Sequence, residues 1–123
     1  MSNPWPWWLT WPVAEVAARI LPLFSSAGPV SEDNVIKAIV GWCKTGEYRT
    51  PGSSFSSSRW IRKFQDPDFG AVGEALQVLE HAGLLMKGGG EDPYLGVTRL
   101  GMHALETSTV RQHLGLSGAP PTP

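Results

Sequence analysis

Between Asp66 and Gly101 the chain changes its apolar period twice, and this constrains its fold more than any other feature. Asp66-Pro67-Asp68 opens a helical pattern in which Phe69, Val72, Leu76, Leu79 and Ala82 form one apolar stripe. Pro67 suits an initiation site and Asp68 can cap free amides there. The run His81-Ala82-Gly83-Leu84-Leu85 ends the helix, because Gly83 can take the left-handed conformation that stops one. Leu84 to Lys87 and Tyr94 to Thr98 then read as two short strands flanking GGGEDP, a hairpin tip. Thr98 begins a last helix through Leu100, His103 or Ala104, and Leu105. The predicted fold class is mainly α with a small β-hairpin.

Two helices precede this run. Thr10 as cap and Pro12 in the first turn predict a start for the stripe Val13, Val16, Ala17, Ile20, Leu21 and Phe24. Pro22 removes a backbone hydrogen bond and crowds the preceding turn, so the helix kinks there or stops near Leu21. Ser31 is a natural cap for a second helix, with Glu32 and Asp33 at the positive end of its dipole. Val35, Ile36, Ile39, Val40 and Cys43 form its buried stripe, with Trp42 on the margin, and Gly46 ends it. Residues 46 to 58 read as a Gly-, Pro- and Ser-rich loop, followed by a short helix from about Arg59 to Phe64.

The run EALQVLEHAGLLMKGGGEDPYLGVTRLGMHALE, Glu74 to Glu106, resembles winged-helix (winged helix-turn-helix) domains of the MarR-like arrangement. In these a long helix ends in an alanine-glycine-leucine turn, a β-hairpin wing follows, and a threonine-x-x-glycine helix start comes next. ILPLFSSAGPVSEDNVIKAI looks like the two helices preceding the recognition helix. The resemblance covers residues 13 to 107. It leaves 1 to 12 as a Trp- and Pro-rich N-terminal segment, and 108 to 123 as a helix end and a solvated tail. It implies that residues 69 to 82 occupy the recognition position and that such a domain can dimerise through its terminal helices. The chain departs from the pattern at residues 46 to 67. Either these are an insertion, or Arg59 to Phe64 is itself the second helix of the motif.

Charge is segregated although the net value is only −1. Lys44, Arg49, Arg59, Arg62 and Lys63 face one acid, Glu47, between residues 44 and 63. From Asp66 to Ala82 there are four acids (Asp66, Asp68, Glu74, Glu80) and no Lys or Arg. Arg59, Arg62 and Lys63 lie at i, i+3 and i+4, so a helix there presents all three on one side, a patch suited to phosphate. The recognition position is poorer. Its predicted outer face holds Ala71, Glu74, Gln77 or Val78, and His81, of which only Gln77 is a good base-edge reader. The wing adds Lys87 against Glu91 and Asp92. Two functions follow. One is a small DNA-binding regulator contacting phosphate through Arg49, Arg59, Arg62 and Lys63, with Gln77 and Lys87 as further contacts. The other is a winged-helix adaptor that binds protein through the Trp-rich N-terminus and the neutral-to-acidic helix 69 to 82.

Four of the six tryptophans, Trp5, Trp7, Trp8 and Trp11, fall in the first eleven residues. Each indole can bury roughly 200 Å², worth several kcal/mol at about 25 cal/mol per Å². Either they fold back beside helix 13 to 24, helped by the restricting prolines Pro4, Pro6 and Pro12, or they anchor a partner chain. A membrane-active segment pairs its aromatics with cations, and none precedes Arg19. Apolar runs are only a few residues long, against the roughly 20 that span a bilayer, and the N-terminus lacks the basic start of a secretory signal. The expectation is a cytoplasmic protein without a membrane span. Cys43 is the one cysteine, so neither an internal disulfide nor a thiolate metal cluster can form. His103 and Glu106 can share a helix face, but two ligands do not close a metal site. No motif requires a cofactor, and catalysis is not expected.

Overall fold

The computed structural model describes residues 7–24, 30–48, 67–89 and 94–119. In chain order these form α1 (Trp7–Thr10), α2 (Val13–Ile20), a 3-10 turn (Leu21–Phe24), β1 (Val30–Ser31), α3 (Glu32–Thr45), α4 (Pro67–His81), β2 (Leu85–Gly88), β3 (Tyr94–Val97), α5 (Arg99–Thr107) and α6 (Val110–His113). The protein is mainly helical with an antiparallel hairpin. The expected short helix at 59–64 lies outside the described residues.

Helix α4 is the hub, packing on α2, α3, α1 and β2. Val72, Ala75, Leu76 and Leu79 are buried in it, while Phe69 and Ala82 are half-buried at the ends of the stripe. Opposite them lie Val16, Ala17, Ile20, Leu21 and Phe24 from α2 and its 3-10 extension, and Val35, Ile36, Ile39 and Val40 from α3. Pro22 acts as the sequence requires: the α-helix stops at Ile20 and the chain tightens to 3-10 geometry.

Three start signals differ from expectation. Pro12 itself holds the cap position of α2, and Thr10 is the last residue of α1, so Val13 begins the helix and is 38% exposed. Ser31 sits at the cap of α3 in extended conformation, but its hydroxyl makes no capping bond. Asp68 lies inside the first turn of α4 and not before it, since the helix already includes Pro67.

The helix-to-hairpin turn follows its sequence closely. Gly83 adopts φ 80°, its amide donates to the Glu80 carbonyl at 3.0 Å, and the Leu84 amide donates to the Leu79 carbonyl at 2.9 Å. This paired reversal satisfies two terminal carbonyls, with Leu79 and Leu84 both buried at the bend. Thr98 then clasps the turn to α5. Its hydroxyl donates to the Gly83 carbonyl (2.5 Å) and accepts from the Gly101 amide (2.9 Å), while its own amide donates to the Leu84 carbonyl (3.1 Å). Gly101 is needed because a Cβ there would collide with the Leu84 carbonyl oxygen. Leu100, expected in the core stripe of this helix, is 40% exposed; Gly101 and Ala104 are buried in its place.

The sheet has three strands in the order β1-β3-β2, all neighbours antiparallel. The expected pair is joined by β1, whose Val30 and Ser31 register with Leu95 and Tyr94. Across the hairpin, Leu85 pairs with Val97, Met86 with Gly96, Lys87 with Leu95 and Gly88 with Tyr94. Leu85, Lys87, Leu95 and Val97 therefore share the face turned to the helices, and Met86 and Tyr94 share the outer one.

The core extends beyond residues 13 to 107, taking in Trp8 at one end and Val110 at the other. Near the C-terminus Arg111 grips Glu15 of α2 with two nitrogens, Nε to Oε1 at 3.2 Å and Nη2 to Oε2 at 2.5 Å, and donates from Nη1 to the Gly118 carbonyl at 2.7 Å.

Candidate nucleic-acid interface

Arg49, Arg59, Arg62 and Lys63 lie outside the described residues, but the stems that carry their segment do not. Helix α3 ends at Thr45 with Gly46 in the left-handed conformation, and the chain re-enters at Pro67, the first residue of α4. The two stems are tied together. Lys44 Nζ lies 3.2 Å from Asp68 Oδ2, and Asp68 Oδ1 accepts a hydrogen bond from Trp8 Nε1 at 2.7 Å. The last turn of α3 is therefore held at the first turn of α4.

On α4 itself Glu74, Gln77 and His81 are exposed, while Ala71 and Val78 are half-buried against the core. This face offers one amide, one carboxylate and one imidazole, and no cation.

Lys87 differs from its expected place. Register turns it to the helical side of the hairpin, where its ammonium lies 3.0 Å from Glu32 Oε2 and 3.8 Å from Glu80 Oε2. Glu32 opens α3 and is buried, and Glu80 lies in the last turn of α4, where the helix dipole disfavours a carboxylate. The hydrogen bond to Glu32 raises the Lys87 pKa; partial burial opposes this, and the two carboxylate charges add to it. Glu80 Oε2 is buried without a hydrogen-bond partner.

The remaining described cations divide similarly. Lys44 and Arg111 pair with carboxylates. Arg19 is exposed and stands over three indoles, its guanidinium carbon 4.8 Å from the ring of Trp7, 5.6 Å from Trp11 and 5.9 Å from Trp42. Trp7 meets Trp8 edge-on at 5.7 Å and Trp42 at 5.8 Å, and lies tilted against Trp11 at 4.9 Å. Trp8 is only 9% exposed. Three of the four N-terminal tryptophans thus pack on the chain's own helices, and Trp5 lies outside the described residues. The roles of Arg19, Asp68 and Glu32 had no local signal in the sequence, because each partner is distant along the chain.

The outer hairpin face is apolar, with Met86 62% and Tyr94 49% exposed. An open groove along α3 is lined by Lys37, Ala38, Gly41, Thr45 and Glu47. Cys43 is half-buried; burial, then the Asp68 charge, push its thiol up to about 12 against the opposing Arg19 charge, which makes it a poor nucleophile. No helix among the described residues is long and apolar enough to cross a membrane.

No protein-family model matches the chain, no curated protein is significantly similar to it, and no solved structure matches it significantly.

Proposed function

We propose that this chain is a winged-helix domain that binds double-stranded DNA as a small regulator, gripping phosphates with Arg49, Arg59, Arg62 and Lys63 and reading bases weakly through Gln77. Support for the fold comes from the order α2, β1, α3, α4, hairpin, with β1 as third strand, and from the Thr98–Gly101 clasp at the end of the hairpin. The observation that carries the function is the tether at the start of α4: Lys44–Asp68–Trp8 anchors both stems of the basic segment at that point. In helix-turn-helix domains this is the end of the recognition helix that meets base edges. Lys87 is left out of the contact set because its ammonium is engaged by Glu32 and Glu80. The reading assigns binding and not catalysis. Reversing Arg59 and Arg62 to Glu abolishes retardation of duplex DNA at low salt; an unchanged shift removes the basic segment from the interface.

One observation favours a second reading, that of a protein-binding adaptor or a homodimer. Met86 and Tyr94 lie on the same outer face of the hairpin, near enough diagonally to form one apolar spot. The tryptophans, first candidates for such a role, are largely committed to internal packing. A molecular mass in solution equal to one chain without DNA, and to one chain plus one duplex with it, excludes the homodimer.

A further inference from the structure

We propose that Lys87 is a positioning residue: by joining Glu32 at the start of α3 to Glu80 at the end of α4, it pins the hairpin against both helices and takes no phosphate itself. Among the described residues the hairpin has few other polar ties to the helical body. At its base the Thr98 clasp fixes it to the Gly83 turn, and β1 adds only two residues of pairing. Further out, Lys87 is the side chain that joins β2 to helices on two sides. Its register places it directly across from Leu95, which is fully buried, so the ion pair sits at the rim of the core and is partly shielded from water. Glu32 is buried and Glu80 keeps a buried oxygen without a hydrogen bond, so the ammonium brings its charge to two carboxylates held on different helices. Without it β2 loses this tie to both, and the element free to yield is the hairpin, since both carboxylates belong to packed helices.

That Lys87 takes no phosphate is a statement resting on the DNA-binding reading; the pin itself does not rest on it. The test therefore has two readouts. Hydrogen exchange is followed in wild type, Lys87→Gln and Lys87→Arg. In Lys87→Gln the β2–β3 ladder amides exchange at least about threefold faster while those of Leu76 and Leu79 in α4 are unchanged, and Lys87→Arg keeps wild-type protection. Equal protection of the hairpin in all three proteins overturns the pin, as does equal acceleration across α4, which is global destabilisation. Separately, duplex-DNA affinity is measured across a salt series. Lys87→Gln lowers affinity with an unchanged slope of log K against log salt; a slope shallower by about one unit makes Lys87 a phosphate contact and overturns the second half of the proposal. Wild-type protein that fails to bind DNA at low salt refutes the DNA reading and leaves the exchange experiment to decide the pin.

Discussion

Gly101 and Thr98 are the residues on which the hairpin junction turns. A methyl group at Gly101 meets the Leu84 carbonyl, a backbone atom that moves only if the Gly83 turn moves with it. Gly101→Ala is therefore expected to destabilise the protein by about 1–3 kcal/mol in urea unfolding, and a loss below ~0.5 kcal/mol contradicts the close approach. This glycine was legible as part of a threonine-x-x-glycine pattern, but its reason was not, because the atom it makes room for lies seventeen residues earlier. Cys43 gives a second residue-scale prediction. Its folded thiol pKa of about 12 lies above the ordinary 9.0, so its contribution to stability is whole below pH 9 and is lost as the pH rises toward 12. At pH 8 alkylation of the native protein by iodoacetamide is expected to be at least about tenfold slower than in denaturant; equal rates contradict the burial.

Among the elements, α1 tests how the ends of the chain are used. The hydrogen bond from Trp8 to Asp68 and the stacking of Arg19 on Trp7, Trp11 and Trp42 join α1 to α2, α3 and α4. Removal of residues 1–11 takes away the buried Trp8 with the half-buried Trp7 and Trp11, and uncovers Trp42 and Arg19. A fall in Tm on the order of 10 °C is expected, and an unchanged Tm with loss of self-association assigns the tryptophans to a partner instead. At the other end, Ser108 closes α5 with φ 57°, a conformation that suits glycine. Ser108→Gly is expected to raise stability by up to about 1 kcal/mol in thermal unfolding, and a decrease contradicts a strained cap. Elements with a long apolar period, α3 and α4, were legible because five or more positions repeat the same stripe. Those that escaped, α1, β1 and α6, are two to four residues long and owe their form to what they pack against, which no local pattern records.

At the scale of the molecule, the architecture of helices around α4 with a hairpin beside them was readable from period changes alone. The partners of two charged residues at the candidate site were not. Lys87 counts as a cation in the sequence, yet the two-residue strand period and a two-carboxylate nest turn it inward. Asp68 reads as a cap, yet it joins α1, α3 and α4 through Trp8 and Lys44. The first engages the cation of the hairpin and the second engages Lys44, which leaves the four cations between residues 49 and 63 as the proposed contact set. This sharpens the functional claim, since four cations concentrated in one segment form a defined counterion-releasing set. The measurement that tests this most directly is the affinity of the intact chain for duplex DNA from low to physiological salt. Four phosphate contacts give a slope of log K against log salt of about −3 to −4. No binding at low salt, or an affinity indifferent to salt, contradicts the account.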